Sequence, residues 1–228
     1  MGFSRYAVPQ QGVIVRSGEE RATLVRRTYS LVFASILVTI GGAAFAMSQP
    51  SLMSAVIAHP FLTAICAFVP LIGAQAMRNS FPQNIGMVFL FTFAEGVYLA
   101  PFIAFAEQQS PGIASQAGLL TFVAFGTLTF YAFVSRRDFS AWGGFLAVGV
   151  VVLFLSMILN FFFGGANGFL WIAAIGTLIF SGLLVFDTWR IRNVYGPDDY
   201  VMAAVNIYLD LLNLFLFLLS MLGGGRRR

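Results

Sequence analysis

Two aspartates stand inside apolar runs near the end of the chain. Asp187 lies in TLIFSGLLVFDTWRI and Asp210 in YVMAAVNIYLDLLNLFLFLLSML, with a short charged turn between them. A carboxylate at the centre of a membrane helix costs at least about 2.5 kcal/mol on insertion scales, so an acid retained there is by default functional. If the two meet at low dielectric they cannot both ionise cheaply, and they share a proton. Such a pair is a pH-sensitive latch. Holding a proton it ties its helices together; doubly charged it repels or takes up a cation. The competing reading for Asp187 is a local salt bridge, because Arg190 follows three positions later on the same helix. Asp210 has no such neighbour in sequence.

Other polar residues in apolar surroundings extend the set. Asn206, Asp210, Asn213 and Ser220 fall on one narrow arc of a helix, so that face looks at protein or water rather than lipid; Asn206 and Asn213 are candidate pathway residues. Glu95 sits near the centre of FTFAEGVYLAPF. It reads either as a proton or cation site on the same pathway or as a neutral acid that fixes helix packing, with Gly96 beside it allowing a close helix approach. Arg78 ends an apolar run and reads either as an interfacial anchor or as a counter-ion for the aspartates. His59 reads as a loop residue and Cys66 as a small buried hydrophobe.

The elements that must position these groups follow from composition. Of 228 residues, 59% are hydrophobic and only 10% charged, with a mean hydropathy of +0.85. A soluble domain carries about 25% charged residues; this chain cannot cover a water-facing surface, so lipid is its solvent. Seven apolar runs follow a polar arm: Tyr29–Met47, Ala55–Met77, Ile85–Ala106, Ala114–Val134, Trp142–Phe163, Phe169–Trp189 and Val201–Leu222. Each is near the roughly 20 residues that cross about 30 Å of hydrocarbon as a helix. The expected organisation is an N-terminal cytoplasmic arm (1–28), a single seven-helix transmembrane domain (29–222) and a Gly/Arg tail (223–228). The stretches Ser48–His59 and Glu107–Gly112 read as loops. The motif Ala43-Ala44-Phe45-Ala46 resembles a signal-peptidase site, but the apolar run before it exceeds a signal sequence, so no cleavage is expected.

All thirteen basic residues are Arg. They occupy the arm, alternate connectors (Arg78; Arg136 and Arg137; Arg190 and Arg192) and the extreme C-terminus, which puts the N-terminus and those connectors on the cytoplasmic side. A spanning seventh helix carries Arg226, Arg227 and Arg228 to the other side, against that rule. The basic balance therefore encodes membrane orientation and not affinity for nucleic acid. One His and one Cys leave little supply for His- or Cys-based catalysis, and no phosphate loop or G-x-S-x-G is present. No enzyme and no cofactor are expected. Phe186 before Asp187 and Leu209 before Asp210 also fail the Tyr-Asp and Gly-x-Gly-Asp motifs of intramembrane aspartyl proteases.

The stretch FSGLLVFDTWRI, followed by DDYVMAAVNIYLDLLNLFLFLL, resembles the signature of the Bax-inhibitor family. Tyr208-Leu209-Asp210, Asn213, Leu214 and Phe215 match the family's run closely, and Asp187 matches with Phe186 replacing the usual Tyr. The resemblance implies six helices wrapped around a central C-terminal seventh. It also implies a pH-dependent calcium leak sensed by Asp187 and Asp210, with Arg78 as latch and calcium as the permeant ion held transiently at the two acids. The runner-up expectation, also drawn from the family, is a non-conducting regulator of a membrane protease or of stress response. A proton-coupled solute transporter is disfavoured by the poverty of polar side chains. The expected partners are the bilayer, protons, calcium and, in the second reading, a membrane protease. The expected location is a multi-pass position in a membrane, the inner membrane in a bacterium.

Overall fold

Apolar segments in lipid must satisfy their peptide groups internally, which makes them helices. A computed structural model describes residues 18–77, 80–163 and 166–224. Among the described residues there are eight helices and no strand: α1 (Gly18–Met47), α2 (Pro50–Ala58), α3 (Pro60–Ala76), α4 (Gln83–Gln109), α5 (Ile113–Val134), α6 (Trp142–Phe163), α7 (Ala166–Asn193) and α8 (Tyr200–Gly224). Six of them, all but α2 and α3, are long and apolar enough to cross a membrane. Residues 1–17 of the expected arm, Arg78 and residues 225–228 of the tail lie outside the described residues.

Two expectations change in the first third of the chain. The run Ala55–Met77 is not one helix: α2 and α3 meet at His59 with a bend of 103°. Pro60 has no N–H to continue α2 and its ring clashes with the preceding turn, so a new helix begins there with Pro at its first position. For the same reason the stretch Ser48–His59, expected as a loop, is mostly α2, started by Pro50. Cys66 is exposed, not buried. The inward face of α3 is Ala67, Pro70, Leu71 and Ala74, and Cys66 falls outside that arc.

The helices divide into those that face lipid and those that face protein. In α6 only Leu146 and Leu153 are buried, while Phe145, Phe161 and Phe163 are about four-fifths exposed. α8 is the opposite case: half of its most apolar stretch is buried, against 11% for α6. α8 packs against α1, α4, α5 and α7. On its far side α4 lies against α1 at very short range. A Cβ on Gly96 would come within 2.1 Å of the Thr39 carbonyl oxygen, and one on Gly42 within 2.3 Å of the Phe93 carbonyl oxygen. Only glycine at both positions allows that crossing, as the sequence suggests for Gly96.

Charged residues near helix ends hold α5 in place. Arg192 donates to the carbonyls of Ala132 (3.2 Å), Phe133 (2.9 Å) and Ser135 (2.8 Å), which are left without amide partners at the helix end. Glu107 accepts from the Gly112 amide at 2.7 Å and the Ala114 amide at 2.9 Å at the other end.

Candidate functional site

α7 and α8 are antiparallel neighbours joined by the turn Val194–Asp199. Its geometry comes from Gly196-Pro197 and from Asp199, whose carboxylate accepts from the Gly196 amide at 2.6 Å. Asp199 therefore closes the turn rather than capping the first amides of α8. At 1.5 Å per residue Asp187 lies about 9 Å from its end of α7 and Asp210 about 15 Å into α8. The two helices are staggered enough to bridge that difference, and the two carboxyls come within side-chain hydrogen-bonding reach of each other. Both residues are 6% exposed. A hydrogen bond between two carboxyls exists only if one of them carries the proton.

The local salt bridge is present as well. Arg190 Nη1 donates to Asp187 Oδ1 at 2.9 Å, with the arginine side chain about one-third exposed and that of Asp187 9% exposed. The two readings of Asp187 thus coexist: it is shared between a guanidinium on one side and a carboxyl on the other. Asp210 Oδ2 is buried and has no hydrogen-bond partner among the described residues. The candidate latch Arg78 lies outside them. No group of three His, Cys, Asp or Glu side chains able to hold a metal ion occurs among the described residues; the pair itself is the whole acidic site.

Sequence reasoning did not single out Tyr195. Its ring lies 4.6 Å under the Arg190 guanidinium, and its hydroxyl accepts from Asn206 Nδ2 at 2.8 Å. Burial, reinforced by the nearby Asp187, pushes its phenol from 10.0 up to about 12, against the opposing pull of Arg190 and Asn206. Asn206, Tyr195, Arg190, Asp187 and Asp210 thus form one continuous polar chain across the α7–α8 seam. The signal in sequence is an aromatic five residues after Arg190, in a turn rich in Gly, Pro and Asp. Phe186, where the family pattern has Tyr, lies with its ring 5.6 Å from the Arg190 guanidinium, stacks on Trp189 and packs against Gly143 of α6.

The other expected residues take separate places. Asn213 donates to its own helix, at the Leu209 carbonyl, 2.8 Å. With Ser220 and Tyr98 it lines a mostly apolar cavity of about 400 Å³ among α2, α4, α6, α7 and α8. Glu95 is buried on α4, and the α8 side chain within its electrostatic reach is Tyr208. Tyr208 and Asp210 are about 200° apart around α8, so the helix stands between Glu95 and the aspartates. His59 lies at the α2–α3 break.

An all-helical, lipid-adapted chain with a paired carboxyl site between its last two helices is a multi-pass membrane protein. The family described as "Inhibitor of apoptosis-promoting Bax1" matches residues 21–227. The chain is 34% identical over 209 residues to Bax inhibitor 1 of Schizosaccharomyces pombe, covering 89% of this chain and 77% of that protein. It is 32% identical to protein lifeguard 4 of Mus musculus (89% and 85% covered) and 32% identical to an uncharacterized membrane protein of Vibrio cholerae (90% of each). The chain belongs to the Bax-inhibitor family.

Proposed function

We propose that this protein is a pH-sensitive calcium leak gated by Asp187 and Asp210. The supporting observation is that two buried carboxyls on adjacent helices come within hydrogen-bonding reach of each other, with one buried oxygen of Asp210 unpaired. With a shared proton the pair holds α7 to α8. Without it, two like charges at close range repel, and a divalent cation is the species that relieves the repulsion. Arg190 already neutralises one charge, so the bound ion is held briefly rather than tightly. The permeation route in this reading runs from the cavity at Asn213 to the pair and out past Arg190, Tyr195 and Asn206. Arg78 acts as a counter-ion that favours the closed form; this role rests on the family resemblance alone.

The architecture proposed for this activity is seven spans, the bent α2–α3 pair counting as one, with α8 at the centre. The N-terminus and the Arg-bearing connectors face the cytoplasm, in the inner membrane for a bacterial chain. No catalysis and no cofactor enter the mechanism. The test is calcium flux into vesicles carrying the purified chain. Wild type passes calcium with a pH-dependent rate, and Asp187→Asn/Asp210→Asn leaves a flux with no pH response. A double variant that keeps the wild-type pH profile overturns the gating.

A second reading draws on the relatives. One set is named "Golgi anti-apoptotic protein", from vaccinia virus, at 32% identity. A regulator of this kind, acting on a membrane protease or a stress response, would conduct nothing. Vesicles that pass no calcium at any pH, while deletion of residues 1–20 abolishes the cellular phenotype, select it.

A further inference from the structure

A cavity of about 1270 Å³ opens at the Arg-bearing end of the bundle between α1, α3, α4 and α8. It exceeds the roughly 300–1,000 Å³ of a small-molecule pocket. Its walls are the ends of four apolar runs, which puts it at one membrane interface. The mouth is charged, with Arg26 and Arg27 from α1 and Asp198 and Asp199 from the turn before α8. The floor is apolar. Leu31 and Ala34 of α1 and Val205 of α8 lie about 5–12 Å further along their helices than these charges, and Phe89 of α4 joins them.

The charges at the mouth do not neutralise one another directly. Among the described residues no ion pair joins either arginine to either aspartate. The Arg27 guanidinium lies instead 5.7 Å from the centre of the Tyr200 ring, next in sequence to Asp199. Asp199 spends one carboxylate oxygen on the Gly196 amide. Arg26 and Asp198 make no side-chain hydrogen bond among the described residues. All four are exposed. On α1, Arg26, Arg27, Ser30 and Ala34 share one arc of about 100°, distinct from the arc of Leu24, Thr28, Val32 and Ser35 that packs into the core. The Ser30 hydroxyl falls between the two arginines on that arc.

A ligand that matches this cavity carries an anion and a cation at one end and apolar length at the other. Guanidinium and hydroxyl groups donate to phosphate oxygens. Carboxylates only accept, so the cationic part must bring N–H groups. A primary ammonium has three of them and a quaternary one has none. An anionic headgroup with no amine would set its charge against Asp198 and Asp199. A soluble zwitterion would leave the apolar floor without a partner. Basic pockets between membrane helices at the cytoplasmic side are known sites for lipid headgroups; here the added carboxylates narrow the choice.

We propose that the cavity binds a membrane phospholipid whose phosphate is linked to a primary amine, as in phosphatidylethanolamine. Arg26, Arg27 and Ser30 hold the phosphate. Asp198 and the second oxygen of Asp199 accept from the ammonium. The floor takes the upper part of the acyl chains. The bound lipid joins α1 to the start of α8 across a gap that no ion pair closes. Neither Asp187 nor Asp210 lines this cavity, so the site is separate from the carboxyl pair.

The test is native mass spectrometry of the full chain released from mixed micelles. Phosphatidylethanolamine, its monomethyl and dimethyl forms, phosphatidylcholine and phosphatidylglycerol compete there in equal amounts. The methyl series keeps phosphate and charge constant and removes only N–H donors. Bound lipid should fall along it, by about 2- to 5-fold from first member to last for contacts this exposed. Phosphatidylglycerol should bind less than phosphatidylethanolamine. Asp198→Asn should flatten the series, and Arg27→Gln should lower the retention of every member. Both positions are exposed, and size-exclusion chromatography verifies that the variants fold. A flat series in the wild type, a preference for phosphatidylglycerol, the wild-type gradient in Asp198→Asn, or full retention in Arg27→Gln each overturns the proposal. Calcium flux does not enter the readout.

Discussion

On one face of α8 the carboxyl of Asp210 meets a second carboxyl, itself held by a guanidinium. On the other face the phenol of Tyr208 meets the hydroxyl of Thr39 at 2.8 Å. Both faces are polar groups in an apolar helix, yet they solve the cost of burial differently. The Asp210 face lies across the seam to α7, next to a turn that carries Arg190, and charge is compensated there by charge. The Tyr208 face lies where α1 and α4 cross through Gly42 and Gly96, with no charged neighbour, and compensation comes only from neutral hydrogen bonds. The first arrangement sets a base against an acid; the second has only hydroxyls and carbonyls. Membership of one family accounts for the chain as a whole, but the distinction between the faces appears only when the neighbours of each residue are known.

Three substitutions separate the faces, taken from the largest effect to the smallest. Gly96→Val strikes the Tyr208 face. Its branched side chain starts 2.1 Å from the Thr39 carbonyl oxygen and 2.9 Å from the Ala43 amide, both rigid backbone. The α1–α4 crossing must open, and the loss should reach or exceed the upper end of the roughly 1–3 kcal/mol typical of overpacking. Thermal unfolding followed by size-exclusion chromatography reads it; a wild-type midpoint would show that the crossing is not a close one.

Arg190→Gln strikes the opposite face. It removes the 2.9 Å bond to Asp187 and the cation over Tyr195. A charge-assisted bond of this kind contributes about 1.5–3 kcal/mol when buried, and partial exposure of the arginine places the effect toward or below the lower figure. In the calcium-leak reading, removing the guanidinium beside the pair should also change the pH profile of flux into vesicles. A profile that stays in place would mean that Arg190 does not act on the pair.

Tyr195→Phe is the mildest. Its phenol is pushed up to about 12 by burial and by Asp187. The neutral form is thus favoured by folding. That contribution is complete below the unfolded value near 10 and is lost as pH rises through about 12. The variant should lose the Asn206 bond, about 0.5–1.5 kcal/mol at neutral pH, and should show a flatter decline of stability between about pH 10 and 12. An unaltered alkaline limb would place the wild-type titration elsewhere.

Much of the site was legible before any coordinates. Asp187 and Asp210 stand out because a carboxylate in an apolar run is costly, and that cost is a property of residue type and context alone. From their positions along α7 and α8 the two can meet only with some stagger between the helices, and that stagger is a matter of packing. The break at His59 is a different case. Its cause, Pro60, is visible in the chain, but a membrane helix can absorb a proline when neighbours take over the freed carbonyls, so whether the run kinks or breaks is decided by what packs against it. Cys66 shows the same limit: an apolar residue in an apolar helix faces protein or lipid with no difference in composition. Tyr195 and Arg192 were legible only as turn residue and orientation marker, since their partners lie across the turn and on α5.

By itself the chain determined its solvent, its helical class, the family to which it belongs and which acids are expensive enough to matter, because these depend on composition and on local order along the sequence. Which face of α8 each polar group occupies, and therefore which has a cation near it and which only a hydroxyl, was decided by tertiary packing. Electrostatic compensation acts through space over a few ångströms, and neighbours at that range come from helices distant in sequence.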